Sequence, residues 1–173
     1  MAGYLRMAYS GVAPALAPIR LVLGPVSTQS GFQYWYLACF PDCIVAVRQG
    51  IGAFFVLGMS NDDRLPQPAL FGLVGVLVNH LLKPKALAYR QRMEAMVQST
   101  PTSQLRTKPN VAYDVTQLKA IICKAKKGAP LILSELILET KSGSKQKFAM
   151  RPAEFRKACE HLGQMYPGLW KLV

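Results

Sequence analysis

The fold of this chain is encoded most clearly in residues 136–162, LILETKSGSKQKFAMRPAEFRKACEHL. The apolar run at its start belongs to a longer candidate strand, 131–140, and a Ser- and Gly-rich turn separates it from the alternating sequence KQKFAM (145–150). This pattern predicts a β-hairpin. A helix over 152–165 follows, because Pro152 suits a first helical turn and apolar residues then recur at helical spacing: Phe155, Ala158, Cys159, Leu162 and Met165.

Strand-forming residues also dominate two earlier parts of the sequence. Aromatic and β-branched residues flank the turn pair Pro41-Asp42, which predicts strands at 32–40 and 43–49. The sequences VAYDV (111–115) and KAIICKAK (119–126) predict two more strands. Together with the hairpin and the helix, these segments predict an α+β fold. We expect one antiparallel sheet or barrel, closed by the C-terminal helix.

Two apolar runs interrupt the strand pattern. IGAFFVLGM (51–59) and ALFGLVGVLVNHLL (69–82) are punctuated by glycine and separated by a polar, proline-bearing turn. A helix that crosses a bilayer needs about 20 apolar residues, so neither run is long enough to cross a bilayer by itself. Either the two runs dip into one leaflet as a short hairpin, or they cover the sheet or a twin subunit. The residues expected to contact the membrane or a partner are Phe54, Phe55, Leu70, Phe71, Leu73, Val76 and Leu77.

The positive charge begins where the apolar runs end. The chain has a net charge of +12, and residues 83–127 hold ten Lys and Arg against two acidic residues. Residues 83–98 predict a basic amphipathic helix, kinked or restarted at Pro84. Such a basic region attracts anionic lipid or nucleic acid, and the alternative is a solvated face. The candidate anion-binding residues are Lys83, Lys85, Arg90, Arg92, Lys124, Lys126 and Lys127, with Arg106 and Lys108 nearby.

Three local patterns resemble the bacterial pleckstrin-homology-like and GRAM-like families. They are YLACFPDCIVAVRQG (36–50), VAYDVTQLKAI (111–121) and the hairpin-helix segment 136–162. The usual Thr-Asp-Arg-Arg turn of the first hairpin is replaced by Phe40-Pro41-Asp42-Cys43. In some relatives an apolar helical segment interrupts the sheet, as residues 51–98 would here. The resemblance implies a binding or scaffolding module.

The predicted organisation is an N-terminal arm (1–27), a split pleckstrin-homology-like domain (28–50 and 105–173) and a helical insertion with its linker (51–104). No nucleophile elbow, phosphate-binding loop or zinc-protease motif occurs in the sequence. The spacing of Cys39 and Cys43 suits half a zinc site, but no second close pair follows, so all four cysteines are expected to be reduced and buried. Glu135 and Glu139 are expected to share a solvated edge.

We therefore expect no catalytic residue, metal site or cofactor. The predicted function is non-enzymatic binding or scaffolding at an anionic lipid surface or a protein partner, with a homodimer through the insertion as one form of the latter. The alternative is a basic nucleic-acid-binding protein. The predicted location is the cytoplasm, either free or at the inner face of a membrane.

Overall fold

The computed structural model describes residues 21–28, 33–50, 68–125 and 134–173, without the side chains of 68–79 and Leu82. Each predicted strand segment has a counterpart in these ranges, and the helix over 152–165 has the predicted bounds. The elements are β1 (Leu21–Thr28), β2 (Tyr34–Cys39), β3 (Cys43–Arg48), α1 (Pro68–Ser99), α2 (Thr102–Leu105), β4 (Val111–Asp114), a 3₁₀ turn (Val115–Gln117), β5 (Leu118–Lys124), β6 (Ser134–Thr140), β7 (Lys145–Met150), α3 (Pro152–Met165) and β8 (Trp170–Leu172).

The strands form one curled sheet of eight strands in the order β4-β3-β2-β1-β7-β6-β5-β8. Only the short 3₁₀ turn joins β4 to β5, although five strands separate them in this order, so the sheet must bend back on itself. Among the described residues, however, no ladder joins β4 to β5. The prediction of an antiparallel barrel closed by the C-terminal helix is therefore wrong. The molecule is an α+β fold with an open, mixed sheet.

The reason for the open edge is the short strand β8. It pairs in parallel with β5, through Ile121 and Trp170 and the two positions that follow, while β6 pairs with the other side of β5. Both edges of β5 are thus used, and none remains for β4. At the junction, the Val115 amide donates instead to the Asp42 carbonyl. The β8 strand was too short to be recognised in the sequence.

The strands β1 to β3 are covered on both faces. Alternate side chains of a strand point to opposite faces, and Leu37 and Cys39 face one hydrophobic cluster, whereas Tyr36 and Ala38 face another. The inner core lies under α3 and includes Leu23, Ile44, Leu138, Phe148 and Leu162. The outer core includes Val22, Phe40, Val45, Val97 and Leu105. Burial on both sides explains why β2 and β3 read as nearly continuous apolar runs.

The helix α3 packs on the inner core as predicted. Ala158 and Leu162 are buried, and Phe155, Cys159 and Met165 pack against the cluster. Leu169 and Trp170 fold back onto the same core. The Tyr166 hydroxyl donates to the Phe40 carbonyl, which ties the end of the helix to the first hairpin.

The strand β1 was not predicted, because residues 1–27 were expected to form an arm. Residues 21–28 instead occupy the centre of the sheet, between β2 and β7. The sequence did not indicate this strand because Gly24 and Pro25 are both typical of turns. They sit at an irregularity in the pairing between Leu23 and Val26, where such residues are tolerated. Residues 1–20 lie outside the described ranges.

Replacing Gly24 with Ala should lower the free energy of unfolding by about 2–4 kcal/mol. Gly24 has a φ of +151°, and a Cβ there would lie 2.7 Å from Cδ1 of Tyr36. Urea unfolding measures the loss. The control is Gly50→Ala, because a Cβ at Gly50 meets nothing within 4 Å. Equal stability of the two variants would contradict the close packing of Tyr36 on β1.

Candidate functional site

The insertion returns to the sheet as a single long helix. Helix α1 runs for 32 residues from Pro68 to Ser99, with Pro84 inside it. At 1.5 Å per residue, its length is about 48 Å. The apolar segment 69–82 and the basic segment 83–98 are therefore one continuous element, and Pro84 does not end the helix.

Among the described side chains of α1, those that pack on the sheet lie in its C-terminal half. Met93 and Val97 join the outer core, and Ala86 is 3% exposed. Before Ala86 the described side chains are exposed, including His80 and Leu81, the latter at 57%. The described contact of α1 with the sheet therefore begins at Ala86, and the apolar sequence 69–82 precedes it on the same helix.

The predicted apolar contact residues divide between two regions. Leu70, Phe71, Leu73, Val76 and Leu77 belong to the N-terminal half of α1, but their side chains are outside the described set. Phe54 and Phe55 lie outside the described ranges altogether. The structure therefore places the backbone of the first five residues in a helix, and it tests the predicted contact for none of the seven.

The predicted basic residues do not form one patch. Lys83, Lys85 and Arg92 are exposed on α1, whereas Arg90 is half-buried. Lys85 and Arg92 are seven residues apart and so share one side of the helix. Lys124 is exposed on β5, which β7 and β6 separate from the strand β1 that α1 contacts. Lys126 and Lys127 lie outside the described ranges.

The basic residue Arg106 has a structural role. The Arg106 guanidinium donates to Asp42 Oδ2 at 2.6 Å and to Cys43 Sγ at 2.9 Å. Asn110 accepts from the Arg48 amide and donates to the Leu105 carbonyl. These contacts attach the segment after α1 to the first hairpin. Arg106 is therefore already paired and is a poor candidate for binding an external anion.

The prediction of a solvated edge at Glu135 and Glu139 is wrong for both residues. They are buried, on the interior strand β6. The Glu139 carboxylate forms salt bridges with Lys119 Nζ at 3.0 Å and with Lys145 Nζ at 3.5 Å. These lysines lower the pKa of Glu139, with the Lys119 hydrogen bond as the largest cause. This arrangement stabilises three neighbouring strands and offers no free carboxylate pair.

A polar cluster connects α1 to α3 beside the irregular part of β1. The Gly24 amide donates to Glu154 Oε2 at 2.8 Å, and Lys157 Nζ donates to Glu94 Oε1 at 3.4 Å. The Arg90 charge acts on both Glu154 and the Tyr36 hydroxyl. Arg90 Nε and Nη2 are buried and have no hydrogen-bond partner among the described residues.

The contacts of this cluster join α1 to α3 and α3 to β1. Burial raises the pKa of Glu154 above its ordinary 4.5, and the hydrogen bond from Gly24 opposes the shift. Next to Arg90 in the sequence, the Tyr89 hydroxyl donates to Gln49 Oε1 at 3.1 Å. No sequence pattern indicated the cluster, because its members come from separate elements far apart in the chain.

The chain matches no protein-family model, and no curated protein matches it. The resemblance to pleckstrin-homology-like and GRAM-like families therefore stays a prediction. Within the ranges that the structure describes, no helix is long and apolar enough to cross a membrane. The same ranges contain no group of three His, Cys, Asp or Glu residues that could hold a metal ion.

The Glu154→Gln substitution should stabilise the fold at neutral pH. A raised folded-state pKa means that Glu154 favours the folded state at acid pH, and that this contribution is lost as the pH rises through the folded pKa. The amide removes the buried charge and still accepts from Gly24. Thermal unfolding of both proteins from acid to neutral pH measures the difference, which should grow with pH.

The matched control for this prediction is Glu160→Gln, since Glu160 is exposed on the same helix. This change should leave the unfolding midpoint nearly unaltered across the pH range. If E154Q were less stable than the parent protein at neutral pH, the Glu154 charge would instead be an essential partner of Arg90.

Proposed function

We propose that this protein is a non-enzymatic module that docks on anionic membrane surfaces through helix α1. The observation that carries the proposal is the continuity of α1. Described side chains of its C-terminal half pack on the sheet, and the same helix includes the apolar sequence 69–82 before that contact. A helix built in this way can present an apolar segment to a membrane while the folded domain stays outside.

The length of the apolar segment suits entry into one leaflet. The run ALFGLVGVLVNHLL (69–82) has a helical length of roughly 21 Å. The hydrocarbon core of a bilayer is about 30 Å thick, so one leaflet provides about half of that. The segment therefore reaches through a leaflet without crossing the bilayer. The polar sequence 60–68 just before it, with Asp62 and Asp63, opposes deeper insertion.

The basic residues stand where the helix would leave the hydrocarbon. Lys83 and Lys85 follow the apolar run directly, and Arg92 lies two turns beyond Lys85. Basic residues at this depth interact with anionic headgroups, each contributing about 1 kcal/mol. The net charge of +12 adds a field that attracts the same surface.

The attachment of α1 to the sheet makes the helix part of the domain. Met93 and Val97 are held in the outer core, and the Lys157–Glu94 and Tyr89–Gln49 contacts bind the helix on two sides. A docked helix would therefore hold the domain in a defined orientation. This supports a positioning or scaffolding role.

Co-sedimentation with vesicles tests the proposal. The protein should pellet with vesicles of phosphatidylcholine and phosphatidylserine, and much less with pure phosphatidylcholine. Changing Lys85 and Arg92 to Gln should weaken the partition roughly 30-fold, because two contributions of about 1 kcal/mol are lost. Leu73→Glu with Leu77→Glu should abolish pelleting, since each charge opposes transfer into the hydrocarbon.

Matched variants separate docking from general charge and hydrophobicity. Lys141→Gln with Lys171→Gln removes the same charge from exposed positions outside α1 and should have a small effect. Met96→Glu introduces a charge at an exposed position near the packed end of α1 and should leave pelleting unchanged.

Two other results would overturn the proposal. Retention of RNA or duplex DNA at matched salt, with a steep salt dependence and no vesicle pelleting, would make this a nucleic-acid-binding protein. A stable dimer that dissociates in the Leu73→Glu, Leu77→Glu variant, without binding to vesicles, would make the apolar half of α1 a subunit interface.

A further inference from the structure

The strands β5 to β8 have one face on the inner core and an opposite face that points outward. Alternate residues of a strand point to opposite faces, and Leu136, Leu138 and Phe148 belong to the inner core. The residues between them on β6 and β7 therefore point outward. The outer core, which α1 joins, includes no described residue of β5 to β8. The outward face of this half of the sheet thus lies outside both cores.

Lysines surround two isoleucines on this outward face. Ile137 on β6 pairs with Ile122 on β5 and with Lys147 on β7, and Ile122 pairs with Lys171 on β8. These four positions form one row across the strands, with a lysine at each end. Both isoleucines are half-buried, and neither belongs to a hydrophobic cluster. We call this surface the lysine face, and its charged rim is Lys119, Lys124, Lys145, Lys147 and Lys171.

Three lysines of the rim are unpaired. Lys119 and Lys145 form salt bridges with Glu139. In the part of the chain that the structure describes, no such partner exists for the other three, and two of them are exposed while one is half-buried: Lys124, Lys171 and Lys147. The five lysines and the two buried glutamates of β6 leave a net charge of +3 on this face. The lysine face therefore attracts an acidic partner.

The spacing of the row matches an extended peptide that crosses the strands. Neighbouring strands lie about 4.8 Å apart, so three spacings separate the Cα atoms of Lys147 and Lys171 by roughly 14 Å. An extended chain rises about 3.4 Å per residue, so its side chains at i and i+4 share one side and lie about 14 Å apart. Residue i+2 lies midway between them. Acidic residues at i and i+4 would thus meet the two lysines while residue i+2 covers the isoleucines.

We propose that the lysine face binds an extended acidic segment of a protein partner, with an apolar residue between two acidic residues at this spacing. An apolar centre inside a polar rim is the usual anatomy of a protein–protein interface. The surface suits nucleic acid less well, because the described outward residues of β5 to β8 include no aromatic side chain for base stacking and no arginine. Anionic headgroups would meet the lysines but leave the two isoleucines against a polar layer.

This binding surface is separate from the proposed membrane contact. It includes only one of the basic residues that the sequence singled out, Lys124, and the other four lysines are brought beside it by strand pairing. Helix α1 contacts β1 and β2, on the other half of the sheet. The inference therefore does not rest on membrane docking by α1, and its test contains no lipid.

Fluorescence anisotropy with a labelled synthetic peptide tests the proposal on the full-length protein. The probe has 15 residues that repeat Glu-Ser-Leu-Ser, and the comparison peptide has the same composition with Glu and Leu in separate blocks. The repeating peptide should bind more tightly. Changing Lys147 and Lys171 to Gln should weaken its binding about fivefold, because exposed ion pairs contribute modestly. Changing Ile122 and Ile137 to Thr, which keeps β-branched residues in the strands, should weaken it by a similar factor.

The charge-matched control is Lys108→Gln with Arg156→Gln. Both residues are exposed outside the lysine face, so this variant should bind the repeating peptide as the parent protein does. Carbodiimide coupling adds a measurement that needs no variant, since it joins the peptide carboxylates to the lysines that they contact. Peptide mapping should then find the peptide on the three unpaired lysines of the rim.

Equal affinity for the two peptides would overturn the proposal, and so would cross-links that fall mainly on lysines outside the lysine face. Tighter binding of RNA or duplex DNA than of the peptide, lost in the Lys147→Gln, Lys171→Gln variant, would instead make this a nucleic-acid surface. Loss of vesicle pelleting in the same variant, without peptide binding by the parent protein, would make it a second membrane contact.

Discussion

The structure depends on the burial of strands β1 to β3 on both of their faces. Alternate residues of these strands enter an inner core under α3 and an outer core under α1, so neither helix is dispensable to the sheet. Large apolar side chains contribute roughly 1.5–3 kcal/mol each when they are buried. The strand β1 bears the greatest constraint, because it joins the β2–β4 half of the sheet to the β5–β8 half. Gly24 lets the Tyr36 ring approach β1 closely at its irregular point.

This arrangement also determines where the functional surfaces can lie. The described α1 residues of the outer core, Met93 and Val97, lie in the second half of the helix, and partly buried polar contacts of Glu94 and Glu154 join α1 to α3 and α3 to β1. The first half of α1 has the most apolar sequence of the helix and precedes that contact. The exposed basic residues stand at the transition. A helix that is anchored at one end and apolar at the other is the physical basis of the proposed membrane docking.

The inner core depends on the C-terminal end of the chain. The strand β8 pairs with β5 and places Trp170 against this core, where its ring packs on Gly163 of α3. The same parallel pairing of β8 leaves the sheet open, because it uses the edge of β5 that a closed barrel would require. One short strand thus explains both the open sheet and the packing of Trp170 on α3.

The sequence by itself determined the local elements: the strands of the hairpins, the bounds of α3, and the apolar-to-basic transition at Lys83. These features follow from periodicity and turn chemistry, which act over a few residues. The tertiary structure alone decided the placement of β1, the open sheet, and the burial of Glu135 and Glu139. The strand β1 was missed because Gly24 and Pro25 are typical of turns, and the ion pairs of Glu139 depend on lysines from two neighbouring strands. Local patterns carry no information about which distant residues will meet, because that depends on how the buried faces pack.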